Sequence, residues 1–104
     1  MLRANSTTTR ANIGARFALG QIFITPGAQE ALEISGEMPI QFLRRHVSGD
    51  WGEVSEEDAQ ENELSLREDF RLLSAFRTGK DQKAIWIITE ADRSATTILL
   101  PSEY

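Results

Sequence analysis

Apolar and polar positions change rhythm several times along the chain, and each change marks an expected element. From Phe17 to Ile24 (FALGQIFI) the residues are largely aromatic, aliphatic and β-branched, which predicts a first strand. Thr25-Pro26 stops that strand, since Thr can cap a helix and Pro fits the first helical position. Across Pro26–Ser35, Ala28, Ala31, Leu32 and Ser35 share a helical face, and Gly36 supplies the stop. Pro39 opens a second helix with Ile40, Leu43 and Val47 on one stripe and Gly49 as the C-cap. Arg44, Arg45 and His46 crowd its last turn, where positive charge suits the helix dipole. Ser55 followed by Asp58 resembles a capping box and starts a third helix running to Asp69. At 100° per residue, Ala59, Leu66 and Phe70 fall on one side of it. Glu57, Glu61 and Glu68 fall on the other, around Leu64.

Three strands follow, over Phe70–Arg77, Ala84–Glu90 and Thr96–Leu100, separated by turn-like intervals at Thr78–Lys83 and Ala91–Ala95. Short connections between consecutive strands favour antiparallel hairpins. The order β-α-α-α-β-β-β predicts an α+β fold in which helices cover one face of a small, mostly antiparallel sheet. Residues 1–15 are rich in Ser, Thr, Asn and Ala without a sustained period and read as a flexible N-terminal arm. Residues 16–104 read as one domain, the default at this length.

Composition narrows the chemistry. The chain has no cysteine, which removes disulfides, thiolate zinc sites and cysteine nucleophiles together. With one histidine and no EF-hand spacing, neither a metal nor a cofactor is expected. Gly14 and Gly20 bracket a short segment, but no Gly-Lys-Ser/Thr follows, so a phosphate loop is not expected either. The longest apolar run, Ala84 to Ile88, is far short of the roughly 20 residues a membrane helix needs. Met1-Leu2-Arg3-Ala4-Asn5-Ser6 has no apolar core of a secretory signal, so a soluble cytoplasmic protein is the expectation.

The net charge of −5 is unevenly placed. Residues 50–69 hold nine acids against one base, Arg67, whereas residues 1–16 hold Arg3, Arg10 and Arg16 and no acid. An acidic chain repels phosphate backbones, so direct nucleic-acid binding is not expected. His46 is read as a charge at a helix end or a partly packed ring, its pKa lowered by the two arginines beside it. Trp51, in Gly49-Asp50-Trp51-Gly52, reads as a plug under a tight turn, or else as an exposed binding aromatic. Glu90-Ala91-Asp92-Arg93-Ser94 reads as the corner between two strands. There Asp92 bonds backbone two residues on, and Glu90 pairs with Arg93.

The segments RRHVSGDWGEVSEED, RLLSAFR and IWIITEADRSATTILLPSEY resemble a group of small bacterial proteins of plasmids, integrative elements and related accessory DNA. The resemblance spans nearly everything from Phe17 to Tyr104. It implies a setting on mobile accessory DNA rather than a reaction. Some members of that group carry a label as a type I restriction methylase subunit. A methyltransferase needs a Gly-rich strand-turn-helix for its cofactor and an Asn/Asp-Pro-Pro-aromatic motif, and neither occurs in this chain.

These readings converge on a non-enzymatic accessory protein that docks a basic protein partner through Arg44, Arg45, Trp51, Glu57, Glu61, Leu64 and Glu68. The alternative is a small toxin-like ribonuclease using Arg71, Arg77, Glu90, Asp92, Arg93 and Tyr104, against which the acidic balance weighs. Consecutive Ile98, Leu99 and Leu100 leave room for a sheet-edge homodimer.

Overall fold

The structure, a computed structural model, describes residues 14–104, so the expected N-terminal arm lies outside it except for its last two positions. Strand β1 (Gln21–Ile24) is followed by helices α1 (Pro26–Ser35), α2 (Pro39–Val47) and α3 (Glu56–Glu68). Strands β2 (Leu72–Arg77), β3 (Ala84–Thr89) and β4 (Ala95–Leu99) come next, then a 3-10 turn at Pro101–Glu103. The α+β class and the element order are those expected from the sequence.

The sheet runs β1-β4-β3-β2. The β2–β3 and β3–β4 pairs are antiparallel hairpins, in register at Ser74↔Ile87 and Ile87↔Ile98. β1 is not beside β2 but outermost, parallel to β4, with Gln21 opposite Ala95 and Ile24 opposite Ile98. A parallel neighbour requires a long connection, and the three helices with β2 and β3 supply it.

Strand β1 is shorter than expected, because Phe17–Gly20 are not strand. Gly20 adopts φ +66, and a Cβ placed there would stand 2.3 Å from the Ser94 carbonyl carbon, so only glycine fits this close approach. Helix α1 matches its signals: Thr25 Oγ1 accepts from Ala28 N at 3.3 Å, and Gly36 closes the helix at φ 73.

One face of the sheet carries the core. Ala28, Ala31 and Leu32 of α1 and Phe42 and Leu43 of α2 pack on Phe76, Ile85, Ile87 and Ile98. Burying the leucine, isoleucine and phenylalanine side chains among these stabilises by about 1.5–3 kcal/mol each. The buried side of α2 is Phe42, Leu43 and His46, not the expected Ile40–Leu43–Val47 stripe, and Ile40 is half exposed. Both sets satisfy helical spacing. The choice falls to the first because the sheet offers hydroxyl partners to His46.

Helix α3 does not lie on that face. It runs along β2, and its buried residues are Asn62 and Ser65. Phe70, expected on the apolar side of α3, lies beyond the helix and is half exposed. Beyond β4 the chain wraps the end of the sheet. Glu103 accepts there from Thr25 Oγ1 and Gly27 N, and Tyr104 packs edge-on against Trp86 at 5.8 Å.

Candidate functional site

The expected docking surface depends on how α3 is mounted. An edge strand presents unpaired backbone groups, and β2 has both halves of its edge covered. Asn62 donates from Nδ2 to Leu73 O at 2.7 Å and accepts at Oδ1 from Leu73 N at 3.1 Å, imitating a neighbouring strand. Two residues on, Ala75 N donates to Trp51 O at 3.0 Å, and Ala75 O accepts from Glu53 N. Gly52 sits between them at φ +74, where a Cβ would meet Ala75 O at 2.0 Å.

The far end of α3 is held by Arg93. Its guanidinium donates to Ser65 O and Phe70 O, as well as to Glu90 O and Ala91 O in its own turn. The expected Arg93–Glu90 side-chain pair is therefore replaced by bonds to backbone carbonyls, which a cation at a helix C-terminus satisfies better. At the start of α3, Ser55 Oγ accepts from Asp58 N at 3.0 Å.

Mounted this way, α3 turns Ala59, Asn62, Ser65 and Leu66 inward and leaves Glu57, Glu61, Leu64 and Glu68 exposed. Those three glutamates form no ion pair among the described residues. The pairs present are Arg16–Glu63, Arg45–Asp50 and Arg77–Glu53. The opposed acidic side read from the periodicity is thus an accessible face centred on Leu64.

The other expected docking residues are distributed differently. Arg44 is exposed on α2, whereas Arg45 is held by Asp50 at 2.7 Å and lies 4.4 Å over the Phe76 ring. Trp51 is 6% exposed and so does not present itself to a partner. It stacks on Phe17 at 6.2 Å, meets His46 edge-on, and donates from Nε1 to Glu63 Oε2. Glu63 also receives Arg16, whose guanidinium and the Trp51 indole hold its carboxyl below the usual carboxylate range. Trp51 is the plug beneath the turn, and the reading of an exposed aromatic is corrected.

His46 is fully buried, so it is not a charged helix end. Nδ1 lies 2.5 Å from Ser74 Oγ and Nε2 lies 2.9 Å from Thr89 Oγ1. Thr89 Oγ1 lies 2.7 Å from Thr96 Oγ1, which donates to Leu19 O at 2.7 Å. That last bond fixes every proton in the chain. Thr96 spends its hydrogen on Leu19 O, so it accepts from Thr89. Thr89 has then spent its own hydrogen and must accept from Nε2–H. The neutral ring is left with Nδ1 as acceptor for Ser74. Burial, rather than the neighbouring arginines, lowers the His46 pKa from 6.5 to about 4. The network is a satisfied polar element of the core.

The residues of the ribonuclease reading are not gathered round one point. Arg71 bonds the Tyr104 hydroxyl at 2.6 Å, Arg77 bonds Glu53 at 2.8 Å, and Arg93 serves four carbonyls. Asp92 accepts from Ser94 N and from Ser94 Oγ, the bond that does most to lower its pKa, and so closes the expected Asx turn. Glu90 is exposed at the corner, and its backbone N–H donates to Ala95 O. The opening of the β3–β4 connection is thus a corner in which each of these polar groups, apart from the Glu90 carboxylate, has a structural partner.

Sequence reasoning missed Asn62, Glu63, Arg93 and Glu103 as organising residues. Asn62 did carry a signal, since Ala59, Asn62 and Leu66 follow helical spacing and only its polarity hid it. Comparison of the chain with protein-family models, with curated proteins and with solved structures gives no match in any of the three.

Proposed function

We propose that this is a non-enzymatic interaction protein that binds a basic protein partner through the exposed face of α3. One observation carries the reading. Glu57, Glu61 and Glu68 stand unpaired, among the described residues, around exposed Leu64 on a helix clamped at two places to the edge of the sheet. A helix fixed in this way offers its charges without an ordering cost at the moment of binding. The acidic face steers a cationic partner, and Leu64 supplies apolar contact at its centre. Arg44 lies outside this face, and Trp51 supports it from beneath. The resemblance to proteins of accessory DNA supports looking for that partner among products of the same mobile elements, with a cytoplasmic encounter as part of this reading.

The test is co-purification of the tagged protein from its host at low and high salt, with the Glu57→Lys/Glu61→Lys/Glu68→Lys variant alongside. Circular dichroism first establishes that the variant is folded. A basic partner retained at low salt, weakened at high salt and lost in the variant supports the reading. A partner retained equally by both proteins refutes it.

A further inference from the structure

The two edges of the sheet are treated differently. The β2 edge is covered by Asn62 and by Trp51–Glu53. The β1 edge has no charge, proline or bulge to blunt it, and its sequence is Gln-Ile-Phe-Ile. Gln21 N donates to Ser94 O and Thr25 N to Ile98 O, both on the β4 side. Strand alternation therefore turns the N–H and C=O of Ile22 and Ile24 outward. Ile22 is 45% exposed and Phe23 50% exposed.

Apolar surface continues from this edge onto the helical face. A groove of about 370 Å³ includes Ile24, Leu32 and Met38, with Glu33 at its rim. A second, of about 480 Å³, lies among Leu19, Gly20, Ile40 and Leu43, with Arg44 at its rim. Met38 and Ile40 are themselves among the most exposed apolar side chains of the described residues.

From this arrangement we infer that β1 is the interface for a second copy of the same chain, pairing antiparallel across a two-fold axis through Phe23. The edge is self-complementary about that point. Ile22 of one copy faces Ile24 of the other, and each of the two pairs exchanges two backbone hydrogen bonds. The two Phe23 residues form the central non-hydrogen-bonded pair, where side chains approach most closely. The same rotation brings the Arg44 end of one copy beside the Glu33 end of the other, so the charged rims complement each other. The result is a continuous eight-stranded sheet. The earlier expectation of an edge at Ile98–Leu100 gives way to this one, because β4 is an interior strand.

The test is sedimentation velocity across a concentration series, read against the 11.7 kDa chain mass. The expected species has twice that mass. Phe23→Lys sets two like charges face to face, and Ile22→Lys charges the other side of the strand. Both side chains are about half exposed in one chain, so each variant is expected to keep its circular dichroism spectrum and sediment as a monomer. Phe23→Cys gives a positional readout, because the chain has no other cysteine. A non-hydrogen-bonded pair holds its Cα atoms about 4.5 Å apart, within reach of a disulfide. Mild oxidation should link that variant into dimers and leave Ile34→Cys, equally exposed beside Asp81 and Lys83, unlinked. A wild-type monomer at all concentrations, a dimer indifferent to Phe23→Lys, or absence of the Phe23→Cys link would each overturn the inference.

Discussion

Burial of His46 makes a quantitative claim about acid. The perturbation is pH, and the comparison is wild type with His46→Gln, which keeps a donor for Thr89 and an acceptor for Ser74 but does not titrate. Folding lowers the His46 pKa from 6.5 to about 4 through desolvation, so the unfolded chain takes up a proton that the folded chain refuses. This contribution is fully present above the unfolded value of 6.5 and is lost as pH falls towards the folded value of about 4. At 1.36 kcal/mol per unit the loss totals about 3 kcal/mol, a large share of a small domain's stability. Asp50, Glu63, Asp92 and Glu103, whose pKa values are lowered by hydrogen bonds, also lose stability in acid, but only towards the lower end of this window. Urea unfolding followed by fluorescence of Trp51 and Trp86 gives the stability at each pH. Subtracting the variant's pH profile removes the carboxylates and leaves the histidine. Wild-type stability that stays flat as pH falls from 6.5, or a Gln variant with the same slope, would refute the buried neutral ring.

Substitutions at three further positions probe the mounting of α3 and the β2 edge. Asn62→Asp keeps the acceptor for Leu73 N but sets a carboxylate oxygen against Leu73 O, so urea unfolding should show a loss of about 2–3 kcal/mol at neutral pH that shrinks in acid. Arg93→Ala and Arg93→Gly both release the carbonyls of Ser65 and Phe70, yet Arg93 has φ 61. The glycine variant should therefore be the more stable of the two by about 1 kcal/mol in paired denaturant curves. Gly52→Ala forces a Cβ towards Ala75 O, costing about 1–2 kcal/mol for the backbone conformation alone, and hydrogen exchange should show the amides of Glu53 and Ala75 losing protection first.

Local signals carried much of the fold. Thr25-Pro26 and Gly36 bound α1 at both ends, Ser55 starts α3, and Asp92-Arg93-Ser94 turns β3 into β4. What stayed hidden depends on distant partners. No periodicity says that β1 pairs with β4, because the partner lies at the other end of the described chain. The inward side of α2 was ambiguous between two helical stripes. Ser74, Thr89 and Thr96 decided it by making a buried imidazole acceptable, and they stand on three different strands. The acidic face of α3 was legible because exposed charge follows from the same periodicity, whereas the partners of its clamps, Asn62 and Arg93, are backbone atoms of distant residues, which no side-chain pattern identifies.

The placement of β1 also sets a timetable. As the chain is synthesised, Gln21–Ile24 leaves the ribosome well before Ala95–Leu99, its one sheet neighbour among the described residues, has been made. The β2–β3–β4 meander closes through local contacts, and β1 can be added only after that closure. Until then Ile22 and Phe23 travel unpaired. The nascent chain therefore carries this apolar segment before the strand that pairs with it exists, so the interval in which a chaperone is most useful runs until Ala95–Leu99 has emerged.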